Sequence, residues 1–385
     1  MIPLSVPNFE GNELKYSTDA VSQGWVSTGG AYVSRMEEEL SAYTDSNAVA
    51  CQSGTAALHM AIYELGITYG DMAIVPTLTF IAAVNPVTYV GAEPVFMDCD
   101  DNLCIDPVKL EAFCKDECEY DGQKLVHTKT GKIVRAIIVV HVFGNLADME
   151  AIMDIALRYR LYVIEDATEA LGSRYEYGRY KGHMAGTIGD YGALSFNGNK
   201  IITTGGGGAV LSKDHKRASH IKYLSTQAKD DPHFYIHNEI GFNYRMTNVQ
   251  AAIGCAQLEK LEEFIKRKNY NYDIYNNLLS DFDKGYLLRF RNNTRSNKWF
   301  YSLVIDRSKC KKTIESYIDD LSKEGIETRP IWGLIGEQKP YCHNISYKVE
   351  KARYYSERII NLPCSTSLTK EQIIETVCLL KKCVN

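Results

Sequence analysis

Gly189-Asp190-Tyr191-Gly192-Ala193-Leu194-Ser195-Phe196-Asn197-Gly198-Asn199-Lys200-Ile201-Ile202-Thr203-Thr204, followed by Gly205 to Gly208, sets a strand, a turn and a lysine in close order. Gly192 to Phe196 reads as a short strand. Asn197-Gly198-Asn199 is turn chemistry, since Gly and Asn tolerate positive φ. Lys200 follows at once, then a β-branched run and the glycines, which let the backbone pass close to something bulky. A lysine presented among small and apolar residues is poorly solvated, which favours its free amine as a nucleophile. Taken alone, Lys200 reads as well as a surface lysine beside a flexible loop, so its context has to carry the argument.

Upstream, strands and helices alternate. Expected helices are Ala31–Tyr43, Ala56–Leu65, Phe80–Tyr89, Pro107–Phe113 and Asp148–Tyr159; expected strands are Asn47–Cys51, Met72–Pro76, Pro94–Asp98, Val134–His141 and Leu161–Ile164. Residues 1–30 read as loop-rich, and Glu117–Lys132 as an exposed hairpin or insertion. Such alternation predicts an α/β fold: a large domain with a mostly parallel sheet flanked by helices. Downstream, Ala209–Leu211 reads as a strand, Asp214–Ser225 as a helix, Thr226–Gly241 as a polar loop containing Pro232, and Val249–Lys268 as a long helix. Composition shifts after Lys268, where Asn and Tyr become dense. The expected division is a large domain, 1–268, and a smaller C-terminal α+β domain, 269–385. The latter has helices at Tyr270–Leu279, Lys311–Glu324, Val349–Ile359 and Lys370–Lys382, a strand at Trp299–Ile305 and a turn at Leu362-Pro363.

The 385 residues carry a net charge of −5 and 45% hydrophobic residues. With no clustering of Lys and Arg, nothing marks a nucleic-acid surface. No apolar run reaches membrane-spanning length and Met1-Ile2-Pro3-Leu4-Ser5 lacks signal-peptide character, so a cytoplasmic protein with no membrane partner is expected. The eleven cysteines are scattered without a Cys-x-x-Cys pair. Cys114, Cys118 and His127 lack a completing pair, so reduced thiols and no metal are expected.

Three loops are expected to share one edge of the sheet. Gln52-Ser53-Gly54-Thr55 turns a strand into a helix, and the free N–H groups of a helix start suit a phosphate, though standing alone such a turn is more commonly a simple N-cap. Asp166 is expected just past the end of a strand, where open α/β sheets bind ligands, or as a helix N-cap. Lys200 completes the set. Phosphate cradle, carboxylate and amine match pyridoxal 5'-phosphate: the lysine binds it, the carboxylate keeps the pyridine nitrogen protonated, and the helix start takes the phosphate. Phe80 is placed to stack on the ring, or else is ordinary core.

In their order and spacing several segments resemble the DegT/DnrJ/EryC1/StrS family of sugar aminotransferases, pyridoxal-phosphate enzymes of fold type I. They are Trp25 to Gly29, Ser53-Gly54-Thr55-Ala56-Ala57-Leu58, Glu165-Asp166-Ala167, Gly186 to Gly189, Ser195-Phe196, Thr203-Thr204-Gly205, Asn243-Tyr244-Arg245-Met246 and Leu362-Pro363. The resemblance implies that Lys200 is the catalytic lysine and Asp166 the pyridine-nitrogen partner. It implies that Gly54, Thr55 and Ser195 bind phosphate and that Phe80 stacks. Glu169 falls where the family often has Gln or His near the ring's phenolic oxygen. Asn243 resembles a residue reaching the neighbouring subunit's phosphate, which implies a homodimer with shared active sites. The candidate cofactor-binding residues are thus Ser53, Gly54, Thr55, Phe80, Asp166, Glu169, Ser195, Asn197, Lys200 and Asn243. Arg329 and Trp332 are candidate substrate-binding residues, or else an interdomain ion pair and a core packer.

The implied activity is transfer of an amino group from L-glutamate to a nucleotide-linked keto-deoxysugar, with pyridoxamine phosphate as the cofactor's aminated form. Gly206 stands where the family commonly has Glu. The lysine segment and the Glu117–Lys132 insertion are more like the branch that aminates C4 of UDP-4-keto-6-deoxy-N-acetylglucosamine, for bacillosamine and legionaminic acid synthesis. A sugar dehydratase of the same family and a non-catalytic binder are the rivals. Lys200 argues against the first, and the intact lysine, carboxylate and phosphate turn together argue against the second.

Overall fold

The computed structural model describes residues 1–231, 233–310 and 312–384. Pro232 of the expected loop and Lys311, the expected start of a helix, lie outside them. The chain begins with helices α1 (Glu13–Ser22) and α2 (Ala31–Thr44), the first within a segment expected to be loop. There follow β1 (Asn47–Cys51), α3 (Gly54–Glu64), β2 (Asp71–Pro76), α4 (Asn85–Tyr89), β3 (Glu93–Met97), α5 (Pro107–Asp116), the hairpin β4 (Cys118–Tyr120) and β5 (Leu125–His127), β6 (Ile133–Val140), α6 (Met149–Tyr159) and β7 (Tyr162–Asp166). Then come β8 (Arg174–Tyr175), β9 (Tyr191–Ser195), β10 (Gly208–Ser212), α7 (His215–Ser225) and α8 (Asn248–Leu278). The remainder is β11 (Gly285–Leu287), β12 (Thr294–Arg295), β13 (Tyr301–Ile305), α9 (Ile314–Lys323), β14 (Arg329–Pro330), β15 (Ser346–Tyr347), α10 (Lys351–Ser356), β16 (Ile359–Leu362) and α11 (Lys370–Val384).

The large sheet runs β1-β10-β9-β7-β6-β2-β3-β15, with the β4–β5 hairpin extending β6. Pairings from β9 through β7, β6, β2 and β3 to β15 are parallel; β1–β10 and β10–β9 are antiparallel. Helices cover both faces, so β2 and β6 read as continuous apolar runs, as parallel strands must. One core (Met36, Leu40, Ile137, Phe196, Leu261) lies on one face and a second (Leu58, Ile62, Val75, Ile138, Ile164) on the other. Side-chain caps fix several helix starts: Ser53 on α3, Asp106 on α5, Asp148 on α6, Asp214 on α7, and a Thr247–Gln250 capping box on α8.

Three further elements differ from the sequence reading. The helix expected over Phe80–Tyr89 is a short 3-10 turn, Ile81–Ala83, followed by α4, because Pro86 has no N–H to continue a helix from Phe80 and sits instead in the first turn of a new one. The helices expected at Val249–Lys268 and Tyr270–Leu279 are one, α8; Lys268, Asn271, Tyr272 and Tyr275 are buried along it, and tertiary packing outweighs the polar composition. The helix expected over Val349–Ile359 closes at Ser356, and Ile359–Leu362 is strand β16 rather than the lead into a turn.

A smaller antiparallel sheet, β11-β13-β16-β14, packs with α9, α10, α11 and the second half of α8 around a third core that includes Tyr301, Leu303, Tyr317 and Leu380. Ile2, Leu78, Val140 and Phe143 belong to that core too, and β15 joins the large sheet. Apolar packing therefore continues across the expected division at residue 268. Among the described residues no helix is long and apolar enough to cross a membrane.

Candidate active site

The C-terminal ends of β7 and β9, the start of α3 and the segment from Trp299 to Trp332 enclose a cavity of about 800 Å³. Ser53, Gly54, Thr55, Phe80, Asp166, Glu169, Ser195, Asn197, Lys200, Arg329 and Trp332 all line it. Residues as far apart in the chain as Ser53 and Trp332 thus meet in one wall. Asn243 does not; it is exposed and its backbone bridges to Thr226.

The α3 start has the features that suit an anion. Ser53 Oγ accepts from Ala56 N–H at 3.1 Å, and the first turn, Gly54 and Thr55, faces the cavity wall with unpaired helix-start N–H groups and the positive end of the helix dipole. At Gly54 a Cβ would lie 2.8 Å from Thr168 Cγ2 and 2.9 Å from Ser195 Cβ, so only glycine lets the three segments converge.

Asp166 is the last residue of β7 rather than the first beyond it. It is buried, and Oδ1 accepts from Thr168 N–H at 3.1 Å. Burial pushes its carboxyl up, while the Thr168 hydrogen bonds and the Lys200 charge pull it back. Among the described residues it has no ion-pair partner within 4.0 Å. A buried carboxylate in that position favours a cationic N–H facing it from the cavity.

Lys200 closes a turn in which its N–H donates to Asn197 O at 3.0 Å. Its side chain is 13% exposed, and Nζ lies 3.5 Å from Glu169 Oε1. Glu169 Oε2 accepts from Phe143 N–H at 2.8 Å. Burial pushes the Glu169 carboxyl up, against the pull of Lys200. The glycine run brings the loop back to the sheet: Phe196 N–H donates to Gly207 O at 2.9 Å, and Gly207 has φ +136°, where a Cβ would meet Thr204 Oγ1 at 2.3 Å. Phe80, 55% exposed, stands at the rim. Arg329 is exposed and forms an ion pair with Glu327 at 2.8 Å, and Trp332 tilts onto Phe143 with ring centres 4.8 Å apart.

Trp299, Phe300 and Phe143 also line the cavity, and sequence reasoning missed them. Trp299 stood only as the start of a strand, and no local signal marks it. Its ring centre is 4.0 Å from Lys200 Nζ and its indole N–H donates to Asn199 O at 2.7 Å.

An amine, a buried unpaired carboxylate, a glycine-lined helix start and an aromatic rim, on a mostly parallel sheet, define a pyridoxal-phosphate enzyme of fold type I, and the donor set fits that cofactor. The chain belongs to the DegT/DnrJ/EryC1/StrS aminotransferase family, whose profile matches residues 7–380. It is 35% identical over 382 residues to the GDP-perosamine synthase of Caulobacter vibrioides, spanning 98% of this chain and 97% of that one. It is 36% identical over 374 residues to the GDP-perosamine synthase of Escherichia coli O157:H7, spanning 97% and 96%. The crystal structure of a DegT DnrJ EryC1 StrS aminotransferase from Brucella abortus superposes with a TM-score of 0.86 at 26% identity, over 97% of this chain and 95% of that one. The protein is a sugar-nucleotide aminotransferase that uses pyridoxal phosphate.

Proposed function

We propose that the enzyme moves an amino group from L-glutamate to the keto carbon of a GDP-linked deoxysugar, in two half-reactions at one site. The observation that carries this reading is the amine of Lys200 beside Glu169 in a cavity that also holds Asp166 and the α3 start. The GDP linkage is supported by 35% identity to a GDP-perosamine synthase over nearly the whole chain. A UDP-linked 4-keto-6-deoxy-N-acetylglucosamine is the second reading, supported by the Asn197-Gly198-Asn199-Lys200 segment and the β4–β5 hairpin.

Bound pyridoxal phosphate supplies an electron sink for the carbon that loses a proton. Asp166 would keep the ring nitrogen protonated. Ser53, Gly54, Thr55, Ser195 and Asn197 would hold the phosphate, Phe80 would stack on the ring, and Glu169 would stand near the phenolic oxygen. Lys200 Nζ takes the proton from Cα of glutamate and in the second half returns one to the sugar carbon that receives nitrogen. Arg329 meets the diphosphate and Trp332 a flat face of the sugar nucleotide. Asn243 reaches the phosphate of a second subunit, so the working unit is a homodimer.

Incubating the protein with L-glutamate and a panel of GDP-, UDP- and dTDP-keto sugars tests the reading by the mass of the aminated product. The GDP sugar is expected to react fastest, and preference for the UDP sugar would favour the second reading. Lys200→Ala is expected to abolish turnover with every member; near-normal turnover in that variant would remove Lys200 from its role.

A further inference from the structure

Lys200 Nζ lies between two groups, Glu169 Oε1 at 3.5 Å and the Trp299 ring centre at 4.0 Å. Phe143 joins the two. Its N–H donates to Glu169 Oε2 at 2.8 Å, and its carbonyl accepts from Trp299 N–H at 3.1 Å. Phe143 is buried with φ +57°, left-handed backbone that a phenylalanine adopts only where its surroundings over-determine it. Asn297 makes a second bridge: Nδ2 donates to Glu169 O at 3.0 Å and Oδ1 accepts from Trp299 N–H at 3.1 Å. The indole N–H pins the ring to Asn199, the residue before the lysine, at 2.7 Å. Behind it, the buried Lys268 Nζ donates to the Trp299 carbonyl at 2.8 Å. The indole is thus fixed at its own ring nitrogen and at both backbone groups, with one face toward the lysine amine.

We propose that Trp299 is a positioning residue of the transamination, its indole face seating the protonated nitrogen of Lys200 opposite Glu169. A tryptophan face attracts a cation through its quadrupole, most strongly where water is excluded. Trp299 is buried and Lys200 nearly so, which meets that condition. The seat favours positive charge on Nζ both when the lysine bears the cofactor and when it is released, so the same nitrogen is held in place for both proton transfers. The charged groups around it are Glu169 at 3.5 Å, Asp166 on β7 backed by His141, Lys268 held by the Trp299 carbonyl, and Arg329 in the cavity wall. Trp299 alone acts through an uncharged face. Its contribution can therefore be weakened without changing shape or charge.

The test uses the holoenzyme with its tryptophans replaced biosynthetically by mono-, di- and trifluorotryptophan. The chain has three tryptophans, so the series is made with Trp25→Phe and Trp332→Phe in every member. The readout is the pH at which the visible band of the bound cofactor is half-titrated. Each added fluorine weakens the ring's hold on a positive nitrogen, so the midpoint is expected to fall stepwise, by roughly 0.4 to 1.5 pH units across the series. Trp299→Leu is expected to fall at least as far, with Trp299→Phe between it and the unlabelled protein. A midpoint that stays constant through the fluorinated series overturns the proposal, even where Glu169→Gln moves it. The inference rests on Lys200 bearing the cofactor, and that reading fails separately: it fails if Lys200→Ala keeps the same visible band.

Discussion

His141 Nε2 lies 2.9 Å from Glu165 Oε2, with both side chains wholly out of solvent, one residue before Asp166. Ala147 N–H donates to His141 Nδ1 at 3.2 Å, which leaves Nε2 to carry the proton toward the carboxylate. Glu165 also accepts from the N–H groups of Gly186, Ile188 and Gly189 at 3.0, 2.6 and 2.7 Å. Burial pushes this carboxyl up, but the His141 contact and the backbone donors more than offset it and hold it below the usual carboxylate range. Glu165→Gln turns an amide NH2 toward donors and removes the charge. It is expected to destabilise the protein by about 1–3 kcal/mol, the usual cost of leaving buried donors without an acceptor. Urea denaturation checks this.

Asp98 ties the smaller unit to the large sheet. Oδ2 accepts from Lys109 Nζ at 2.6 Å and from Glu350 and Lys351 N–H at 3.0 Å each, and Oδ1 from Ala352 N–H at 2.7 Å. Burial raises this carboxyl, yet Lys109 and the three N–H groups at the start of α10 bring it below its ordinary value. A lowered folded-state value means the unfolded chain binds the proton more readily. The stabilisation is complete above the unfolded value near ~3.9 and is lost as pH falls through the lower folded value. Asp98→Asn is expected to lose roughly 3 kcal/mol at pH 7, with the gap to wild type closing below about pH 4. Thermal melts across that range check both parts.

The parts of the site that local chemistry marks were legible in the sequence. Ser53-Gly54-Thr55 is a turn into an apolar helix, Asp166 ends a buried strand, and Lys200 follows a Gly/Asn turn; all line one cavity. The hairpin read at Glu117–Lys132 is β4–β5. Trp299 and Phe143 were not legible, because their placement against Lys200 depends on a strained φ and on bonds across more than 100 residues. The continuity of α8 was hidden for a similar reason: its Asn- and Tyr-rich half is helical because the third core buries Tyr272 and Tyr275. Helix α1 has a weak pattern of its own and is fastened by Glu13, whose Oε1 accepts from Gln257 Nε2 at 2.6 Å.

Arg329 offers a clean separation of binding from folding. It is exposed, and its ion pair with Glu327 is of the surface kind that contributes little. Arg329→Ala is expected to leave thermal stability within about 0.5 kcal/mol of wild type. Losing charge-assisted hydrogen bonds to a diphosphate is expected to raise the sugar-nucleotide KM by roughly 10- to 100-fold, with the KM for glutamate unchanged. Steady-state kinetics varying each substrate in turn reads this. An unchanged sugar-nucleotide KM would place the diphosphate elsewhere.

Gly54→Ala probes the anion cradle without touching a charge. The added Cβ meets Thr168 Cγ2 at 2.8 Å and Ser195 Cβ at 2.9 Å, so one of the two segments has to move. Thr168 cannot move freely, since its N–H donates to Asp166 Oδ1 at 3.1 Å, and Ser195 is paired with Gly208 in the sheet. Overpacking of this kind costs about 1–3 kcal/mol. The strain falls on the junction of the helix start with Ser195, where the phosphate is to be held. Affinity for pyridoxal phosphate and for inorganic phosphate is expected to fall together, by about 10-fold or more, since one lost or misaligned hydrogen bond to a charged group is worth ~1.5–3 kcal/mol. Thr168→Ser removes the methyl that the new Cβ meets first. The double variant Gly54→Ala/Thr168→Ser is therefore expected to regain part of both the stability and the phosphate affinity, an interaction between contacting sites that a double-mutant cycle measures directly. Equal losses in the single and double variants would mean that Ser195, not Thr168, limits the space at the cradle.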